Sequence, residues 1–592
     1  MSCYRYGFAM ALAMGAMSAS SSRALAVSYA SNITKSGTTV NFILNSPADV
    51  LTYSINGGAP IALDGTTKGA KTFNLTAAGD TFSISATRND ATGYTIPTGE
   101  LKGDVGAGWT SGLSQQTNVA GLMMLSDDAN IFNRYNSPRG IDVSNNPNAP
   151  NFGTVYISNS AAGSVPEALP ALARTLTDEG LYALRADQSD AFGYGDVAKN
   201  PTASDGFPSF STSSANSPFR VHVSQAGDVF VADYSDVNGN VFAVNSDFTA
   251  SQIMLAGIGG PGWSSPGTPL FPDGTSIPPD QYHGSISGIH VEGSFAQGNL
   301  VLYGVDEDIN SAHFGGTVQN DRNSIWKWEI GGTPATTGST VIPTKIGGGM
   351  IGDFPAGGIL IDMEKGADGK FYLSQNRSAG AQVGIQVLDP TGAEIFNSLT
   401  KSRELLANPT ANDIFRNVLE IAVSVDQKWL AAVMNVGDVV VVPLVDGIPN
   451  IEARMVVDTL PDVVSARGIT FDAAGNIHYV SSGQQLYRVL APGGQSVATT
   501  SWNGSSYSFA VETVAGGLDG DFNGDDLVDG TDFLVWQRGG SPNPLSSADL
   551  TLWKNNFGAT SAAPAVGAVP EPATLVLAGA GVATLVAARR RR

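Results

Sequence analysis

The stretch Ser217-Pro218-Phe219-Arg220-Val221-His222-Val223, followed by Gly227-Asp228-Val229-Phe230-Val231-Ala232-Asp233, is the pattern that decides the fold. Both segments are rich in branched and aromatic side chains, and a short turn containing glycine joins them. Such segments are typical of two neighbouring antiparallel β-strands. The centre of the chain is therefore predicted to be a series of strand pairs rather than helices.

The same unit recurs along the chain, with first strands that begin near Ser137, Ser217, Ser287, Gly357, Leu419 and Ala466. From Ile141 to Ile469 the mean repeat is about 66 residues, longer than the roughly 40 to 50 residues of a four-stranded propeller blade. Radial packing of such units hides their sheet edges, so we predict a mainly β chain with a six- or seven-bladed β-propeller over residues 113–516. Leu122–Leu125 and Phe509–Val514 are the candidate strands of a seventh blade. The repeats resemble those of NHL-like and lactonase-like propellers.

A smaller β-rich region precedes the repeats. Val40–Leu44 and Phe82–Ala86 alternate apolar and polar side chains, and Asn56-Gly57-Gly58 marks a tight turn. Residues 27–112 are therefore predicted to form a small β-sandwich. Its layout is similar to the immunoglobulin-like modules of bacterial surface proteins, and a structural spacer is the expected role.

Composition limits the functions open to the chain. The formal net charge is −21, and so acidic a surface repels nucleic acid and anionic lipid but is compatible with divalent cations. The one cysteine, Cys3, lies in the predicted signal peptide, so the mature chain offers no disulfide, thiolate nucleophile or cysteine-based zinc site. No nucleic-acid partner is expected.

The first 26 residues predict a cleaved secretory signal. Arg5 precedes the apolar stretch Phe8–Met17, which is too short to span a bilayer, and cleavage is expected after Ala26. A membrane anchor is the alternative, but it needs about twenty apolar residues. The protein is therefore expected to work outside the cytoplasm.

The C-terminal residues 569–592 have three parts: Val569-Pro570-Glu571-Pro572, the apolar run Ala573–Ala588, and Arg589–Arg592. This layout resembles the PEP-CTERM sorting signal, which bacteria process with an exosortase. The resemblance implies exosortase-type sorting machinery as a partner, transient membrane contact through the hydrophobic segment (a short transmembrane helix), and display on the cell surface or in the extracellular matrix of a bacterium with an outer membrane. An ordinary C-terminal membrane anchor is the alternative, but the short run and the arginines fit transient retention.

An acidic segment at 517–560, before a linker at 561–568, carries the sharpest chemical pattern. Its side-chain oxygens fall at positions 1, 3, 5, 9 and 12 of a twelve-residue loop, with a backbone carbonyl at position 7, as in an EF-hand Ca²⁺ loop. The predicted metal ligands are Asp521, Asn523, Asp525, Leu527 through its carbonyl, Asp529 and Asp532. Asp526 lies at position 6, where an EF-hand has glycine, and Asp532 at position 12 has a shorter side chain than the usual glutamate. A solvated acidic linker is the alternative.

The residues after this loop, Phe533–Arg538, resemble a type I dockerin repeat. Asp549–Trp553 repeats the spacing of Asp532–Trp536, but the loop before it lacks ligands. The resemblance implies a short α-helical module with one Ca²⁺ ion and a cohesin-like partner. Because the second loop is lost, a calcium-stabilised stalk without a cohesin partner stays open.

The repeats also allow a search for a channel site. Lactonase-like propellers hold a metal ion with Glu, Asn and Asp, several of them just before a glycine of the innermost strand. The resemblance places those positions at Arg139, Phe219, Ser287, Gly357, Leu419 and Arg467, none of which is such a ligand. His222 and His290 share a repeat position and form a candidate metal pair, although ordinary strand histidines are expected because only two copies carry them. Arg139 and Arg467 are either channel-mouth groups for an anion or peripheral ion-pair partners.

No catalytic and no cofactor-binding residue is therefore predicted, apart from the Ca²⁺ ligands. The expected function is an exported, calcium-binding scaffold or recognition protein with a non-catalytic propeller head, for glycans or matrix. The alternative is an extracellular polysaccharide-processing enzyme, a dockerin-bearing hydrolase or lyase. Paired carboxylates on channel-facing strands would favour the enzyme, and the sequence pattern offers no convincing pair.

Overall fold

A computed structural model describes the chain in ordered ranges: residues 28–90, 122–127, 130–164, 176–193, 217–234, 241–248, 251–255, 286–306, 322–333, 344–349, 359–376, 383–415, 417–435, 438–459, 466–483, 485–492, 494–513, 520, 522, 528–538 and 545–558. The chain divides into two compact units, Met1–Thr513 and Val514–Arg592. The predicted signal peptide and the sorting tail lie outside the described residues.

The strands of the first unit follow the chain in three groups. The first group is β1 (Ala30–Ser36), β2 (Thr39–Leu44), β3 (Val50–Ile55), β4 (Ile61–Leu63), β5 (Gly69–Asn74) and β6 (Phe82–Asp90). The second group is β7 (Leu122–Met124), β8 (Pro138–Val143), β9 (Val155–Asn159), β10 (Gly163–Ser164), β11 (Leu176–Thr177), β12 (Gly180–Leu184), β13 (Arg220–Val223), β14 (Val229–Ala232), β15 (Val241–Val244), β16 (Ser251–Leu255), β17 (Ile286–Glu292), β18 (Leu300–Asp306), β19 (Arg322–Gly331), β20 (Thr344–Gly349), β21 (Ile359–Lys365), β22 (Phe371–Asn376), β23 (Ile385–Leu388), β24 (Glu394–Asn397), β25 (Val418–Val423), β26 (Trp429–Met434), β27 (Asp438–Val445), β28 (Ile448–Pro449), β29 (Met455–Thr459), β30 (Ala466–Phe471), β31 (Ile477–Ser481) and β32 (Leu486–Pro492). The last group is β33 (Gly494–Trp502) and β34 (Tyr507–Thr513).

Two antiparallel sheets of the first unit share one apolar core. One sheet has the order β1-β2-β5, and the other has the order β34-β33-β6-β3-β4. Burial alternates along β2, where Val40, Phe42 and Leu44 are buried while Asn41 is exposed. The core joins these side chains to Phe73 and Phe82 from the two sheets. The predicted β-sandwich at the start of the chain thus exists as two packed sheets, and its immunoglobulin-like topology stays a prediction.

The larger sheet corrects the predicted domain boundaries. β33 pairs with β6 from Gly494↔Asp90 to Trp502↔Phe82, and β34 pairs with β33. The prediction that Phe509–Val514 belongs to a propeller blade is therefore wrong for the described residues up to Thr513. These residues also alternate apolar and polar side chains, so the pattern alone gave no sign of which sheet they would join.

The repeats form a closed ring of six described sheets. Their strand orders are β12-β9-β8, β13-β14-β15-β16, β17-β18-β19-β20, β21-β22-β23-β24, β25-β26-β27-β28 with β29 beside β27, and β30-β31-β32-β7. The first strands contact one another in sequence, from β8 through β13, β17, β21 and β25 to β30, and β30 returns to β8. The mainly β, propeller-like architecture predicted from the repeats is confirmed.

The last sheet of the ring closes with a strand from its beginning. β7 pairs with β32 through Leu490↔Met124, Ala491↔Met123 and Pro492↔Leu122. Leu122–Met124 was predicted to help form a seventh blade, but it completes the sixth described sheet instead. This closure ties the two ends of the ring together by hydrogen bonds, which removes an open sheet edge.

Helices are few in the described chain. In the first unit, α1 (Ser398–Leu405) begins at Asn397, whose side chain accepts a hydrogen bond from the Thr400 amide. In the second unit, α2 (Gly530–Gln537) and α3 (Ser547–Asn556) pack against each other through Phe533 and Trp553, whose ring centroids are 4.8 Å apart. The second unit therefore contains the short helices predicted for this segment.

Candidate functional site

The first strands of the six ring sheets place two sets of equivalent residues at the centre of the ring. The strand pairings align one set at the floor position, Gly140, Arg220, Gly288, Asp362, Glu420 and Gly468. They align a second set two residues later, Asp142, His222, His290, Glu364, Ala422 and Thr470. We call these sets the floor layer and the histidine layer. Their charged members, with the polar Thr470, line a cavity of about 420 Å³.

Arg220 dominates the floor layer. Its guanidinium lies 2.8 Å from the Glu420 carboxylate and 3.6 Å from that of Asp362, and the side chain is 3% exposed. It also donates hydrogen bonds to the backbone carbonyls of Arg139, Arg467 and Leu419, which lie on other first strands. One buried cation thus joins the first strands of five sheets.

Glycines in the floor layer allow the strands to approach this cation. A Cβ atom at Gly140 would lie 2.9 Å from the Cα atom of Arg220, and one at Gly288 would lie 2.8 Å from the Cα atom of Asp362. Real Cβ atoms do not come so close to backbone atoms. Because glycine lacks Cβ, neighbouring first strands can pack with their backbones in contact at this level.

The floor places two buried carboxyl groups against one guanidinium. Burial raises the pKa of Asp362 to about 7, although the Arg220 guanidinium opposes the shift. Burial also raises the pKa of Glu420 above its usual range, again against the effect of Arg220. A single guanidinium therefore serves two buried carboxyl groups.

The histidine layer brings together residues from neighbouring sheets. The rings of His222 and His290 have centroids 4.8 Å apart, and His290 Nδ1 lies 3.1 Å from Glu364 Oε1. One donor atom of each of these three residues lies within 4.8 Å of the other two. Their shared repeat position thus places the two strand histidines side by side at the ring centre, as a metal pair requires, and a metal-binding role stays a prediction.

Asp142 completes this layer beside His222. Its Oδ2 lies 3.6 Å from His222 Nδ1 and accepts a 2.6 Å hydrogen bond from the Val223 amide. Its Oδ1 accepts a 2.8 Å hydrogen bond from the Thr470 hydroxyl. These bonds fix the carboxylate where it faces the imidazole.

Burial sets the protonation of the layer. It lowers the pKa of His290 to about 4 and lowers that of His222, where the neighbouring His290 adds to the effect. It raises the pKa of Glu364 to about 8. Both imidazoles are therefore neutral near pH 7, which is the form that binds metal ions.

The last residues of the first strands and the turns that follow them line the remaining part of the cavity. Polar residues there include Asn145, Gln225 and Gln427, together with the ion pair of Lys365 and Glu292. Tyr303 holds this pair, since its hydroxyl donates to Glu292 at 3.3 Å and its ring lies 4.8 Å from the Lys365 ammonium. We call this amide-rich part the cavity mouth.

The channel positions predicted from the sequence lie one residue away from this site. Arg139, Phe219, Ser287, Leu419 and Arg467 each directly precede a floor residue, and Gly357 lies outside the described residues. In the fourth repeat the true equivalent is Ile361, because the channel-facing acids are Asp362 and Glu364. The expectation that no paired carboxylates line the channel is therefore wrong.

The two arginines named as channel-mouth candidates lie near the floor layer. Arg139 donates to the Ser160 hydroxyl at 3.0 Å, and Arg467 donates to that of Ser482 at 3.4 Å. Burial and the neighbouring guanidinium groups lower the pKa of Arg139 to about 9, and burial and Arg220 lower that of Arg467 to about 10. A role in anion binding stays a prediction.

The second unit contains the predicted calcium loop in part. Asp521, Asn523, Asp525 and Leu527 lie outside the described residues, whereas Asp529 and Asp532 are described. Asp532 is fully buried, and its carboxylate accepts hydrogen bonds from the amides of Phe522 at 2.7 Å and Asp529 at 2.8 Å. The ends of the twelve-residue segment are thus held together.

Asp529 begins the helix that follows this segment. Its side chain accepts a hydrogen bond from the Thr531 amide, and its carbonyl accepts one from the Trp553 indole at 2.6 Å. Asp529 thus caps the helix that follows the predicted loop, and Ca²⁺ binding by this segment stays a prediction.

Comparison with known protein families gives one match, to a short motif at the C-terminus, and no curated protein matches. Residues 568–592 match the PEP-CTERM protein-sorting motif. Among solved structures, a structural genomics protein of unknown function from Bacteroides thetaiotaomicron VPI-5482 is similar, with 12% identity, a TM-score of 0.35, and coverage of 78% of this chain and 98% of that one. A streptogramin B lyase structure has 13% identity, a TM-score of 0.28, and coverage of 63% and 97%. A nidogen/laminin complex has 12% identity, a TM-score of 0.30, and coverage of 56% and 84%.

The sorting motif indicates the cellular location of the protein. In the part of the chain that the structure describes, no helix is long and apolar enough to cross a membrane, and the hydrophobic segment Ala573–Ala588 lies outside that part. The motif itself implies processing by exosortase sorting machinery. The protein is therefore exported and sorted to the cell envelope.

Proposed function

We propose that this protein is an envelope-displayed recognition protein that binds its ligand in the central cavity of the ring. The observation that carries the proposal is the cavity of about 420 Å³, which has a charged floor and an amide-rich mouth. A pocket of this size suits a small molecule or the end of a chain, and amide groups suit ligands rich in hydroxyl groups.

The charges of the cavity restrict the ligand further. Asp362 and Glu420 lie against the buried Arg220 guanidinium, Asp142 and Glu364 add two carboxyl groups beside the histidines, and Lys365 at the mouth is paired with Glu292. The chain as a whole carries a net charge of −21. An anionic ligand would be repelled, so we propose a neutral or amine-bearing saccharide of the envelope or matrix.

A glycan array probed with the mature protein tests this proposal. We expect binding to neutral or amine-bearing glycans that falls about five- to tenfold in the variant Gln225→Ala, because one lost hydrogen bond costs roughly 1 to 1.5 kcal/mol. The matched control is Gln252→Ala, which removes an exposed amide from an outer strand. Binding that is absent, or that both variants retain equally, would contradict recognition at the cavity mouth.

A polysaccharide-processing enzyme is the second candidate function, and the channel carboxylates favour it. Glycoside hydrolysis uses two carboxyl groups, one of which acts as an acid with a raised pKa. Glu364 has such a raised pKa and lies in the same layer as Asp142. A hydrolysis screen with the mature protein would support this function if product forms and Glu364→Gln abolishes it. Turnover that survives this variant would exclude Glu364 as the acid.

We also propose that the second unit binds one Ca²⁺ ion through the predicted ligands of residues 521–532. The closed ends of this segment and the buried Asp532 carboxylate support the proposal. The ion would offset the mutual repulsion of the acidic side chains and hold α2 against α3. The unit would then serve as a calcium-stabilised stalk before the sorting motif, or as a docking module for a cohesin-like partner.

A further inference from the structure

Three side chains with metal-binding groups converge in the histidine layer. His222, His290 and Glu364 come from β13, β17 and β21, the first strands of three consecutive sheets. They occupy the same position in their repeats, so the closed ring fixes their spacing without help from any loop. A site built on rigid strands is more exact than one built on flexible segments.

The spacing of these groups suits a metal ion. Ligands at about 2.1 Å from a tetrahedral ion lie about 3.4 Å from one another. The pair of His290 Nδ1 and Glu364 Oε1 is already at 3.1 Å, and the three donor atoms all lie within 4.8 Å of one another. A small rotation of the side chains would therefore complete the geometry.

The surroundings of the site also favour a cation. Asp142 faces His222 Nδ1 and is held by the Thr470 hydroxyl, as carboxylates in the outer shell of metal sites commonly orient a histidine ligand. Arg220 is the nearby buried cation, and it is engaged with Asp362 and Glu420 in the floor layer. The Glu364 carboxyl group, which faces His290 rather than Arg220, is thus placed to bind a positive ion.

We propose that His222, His290 and Glu364 bind one divalent transition-metal ion, such as Zn²⁺, in the ring cavity. Two imidazole nitrogens and one carboxylate oxygen suit zinc and its neighbours in the first transition series, whereas Ca²⁺ prefers oxygen ligands alone. Three protein ligands leave a coordination position open toward the cavity, where an oxygen atom of a bound ligand would complete the shell. The inference does not depend on saccharide recognition.

Metal binding by the mature protein tests the proposal directly. The stripped protein is titrated with Co²⁺ and with Zn²⁺ in millimolar Ca²⁺, which saturates the proposed loop in the second unit. We expect one ion per chain, a Co²⁺ visible spectrum of a four- or five-coordinate site with nitrogen ligands, and a melting temperature that rises with Zn²⁺ concentration. No transition-metal binding by the wild-type protein would overturn the proposal, even if every variant failed to fold.

Variants then locate the ion. His290→Asn and Glu364→Gln should abolish the Co²⁺ spectrum, and Asp142→Asn should weaken binding by about 10- to 100-fold. The matched control is Glu329→Gln, which removes an exposed carboxylate paired with Lys327 on β19 and should leave the affinity close to that of the wild type. A spectrum that persists in folded His290→Asn protein, or that is lost only in Glu329→Gln, would show that the ion binds elsewhere.

Discussion

Replacing Arg220 with methionine tests whether the cavity floor depends on one buried ion-pair network. Methionine fills much of the same space but removes the charge, which leaves Asp362 and Glu420 facing each other without a cation. Breaking a buried pair in this way costs about 3 to 5 kcal/mol. The three backbone carbonyls that accept from the guanidinium would also lose a donor. We therefore expect a loss of stability at the upper end of that range.

The assay is urea unfolding of the mature protein, followed by tryptophan fluorescence, since Trp326 and Trp328 are fully buried in the ring. The variant should unfold at a clearly lower urea concentration. The matched control is Arg185→Met, which removes hydrogen bonds to the carbonyls of Asp190 and Ala191 and should cost about 1 kcal/mol.

A second substitution tests the same explanation, because its effect on stability should change direction between the wild-type and Arg220→Met backgrounds. Glu420→Gln alone should destabilise the protein, because Arg220 then has a weaker partner. In the Arg220→Met background the same change should restore about 1 kcal/mol or more, since it removes one of two unpaired buried carboxylates. Equal stability of Arg220→Met and the double variant, or a neutral effect of Arg220→Met alone, would refute the ion-pair explanation.

Three further predictions follow from other parts of the chain. Deleting residues 569–592 should release the protein into the medium, and a truncated protein that stays on the cells would show that sorting does not use this motif. The wild-type protein should show a calcium-dependent change in tryptophan fluorescence with a stoichiometry near one, and changing Asp521 and Asp525 to Ala should abolish it. The control Asp526→Asn, at a non-ligand position, should retain the change. A titration that shows two equal sites would count against a single loop. A chain that lacks 494–513 should lose hydrogen-exchange protection in β6, and unchanged protection would mean that β33 does not stabilise this sheet.

The strands of the ring were predictable because each repeat carries its own alternation of apolar side chains. Val229 and Val231, for example, are buried in the sheet to which the sequence assigned them. The closure of the ring was harder to predict from the sequence. Leu122–Met124 is too short to show a period, so its pairing with β32 depends on contacts distant in sequence.

The ring centre was missed for a specific physical reason. Several first strands contain a bulge just before the floor residue, as between Leu360 and Asp362 and between Val418 and Glu420. A bulge inserts one residue and reverses the face on which the following side chains lie. The position that the lactonase-like resemblance gave in the fifth repeat, Leu419, is the residue inside such a bulge, and the channel-facing Glu420 follows it. The shared repeat position of His222 and His290 was visible, and it was the signal that pointed to the site.

The pairing of β6 with β33 has a consequence for how the protein forms during export. Ser85 and Thr499, whose hydroxyl groups are 3.0 Å apart, are separated by 414 residues in sequence. Contacts so distant form late, because the intervening chain must first be ordered. The sheet that begins the chain can therefore be completed only after every strand of the ring has been synthesised. Until then the edge of β6 lies open, and an export intermediate stalled before residue 494 would present an unpaired strand to other nascent chains in the envelope.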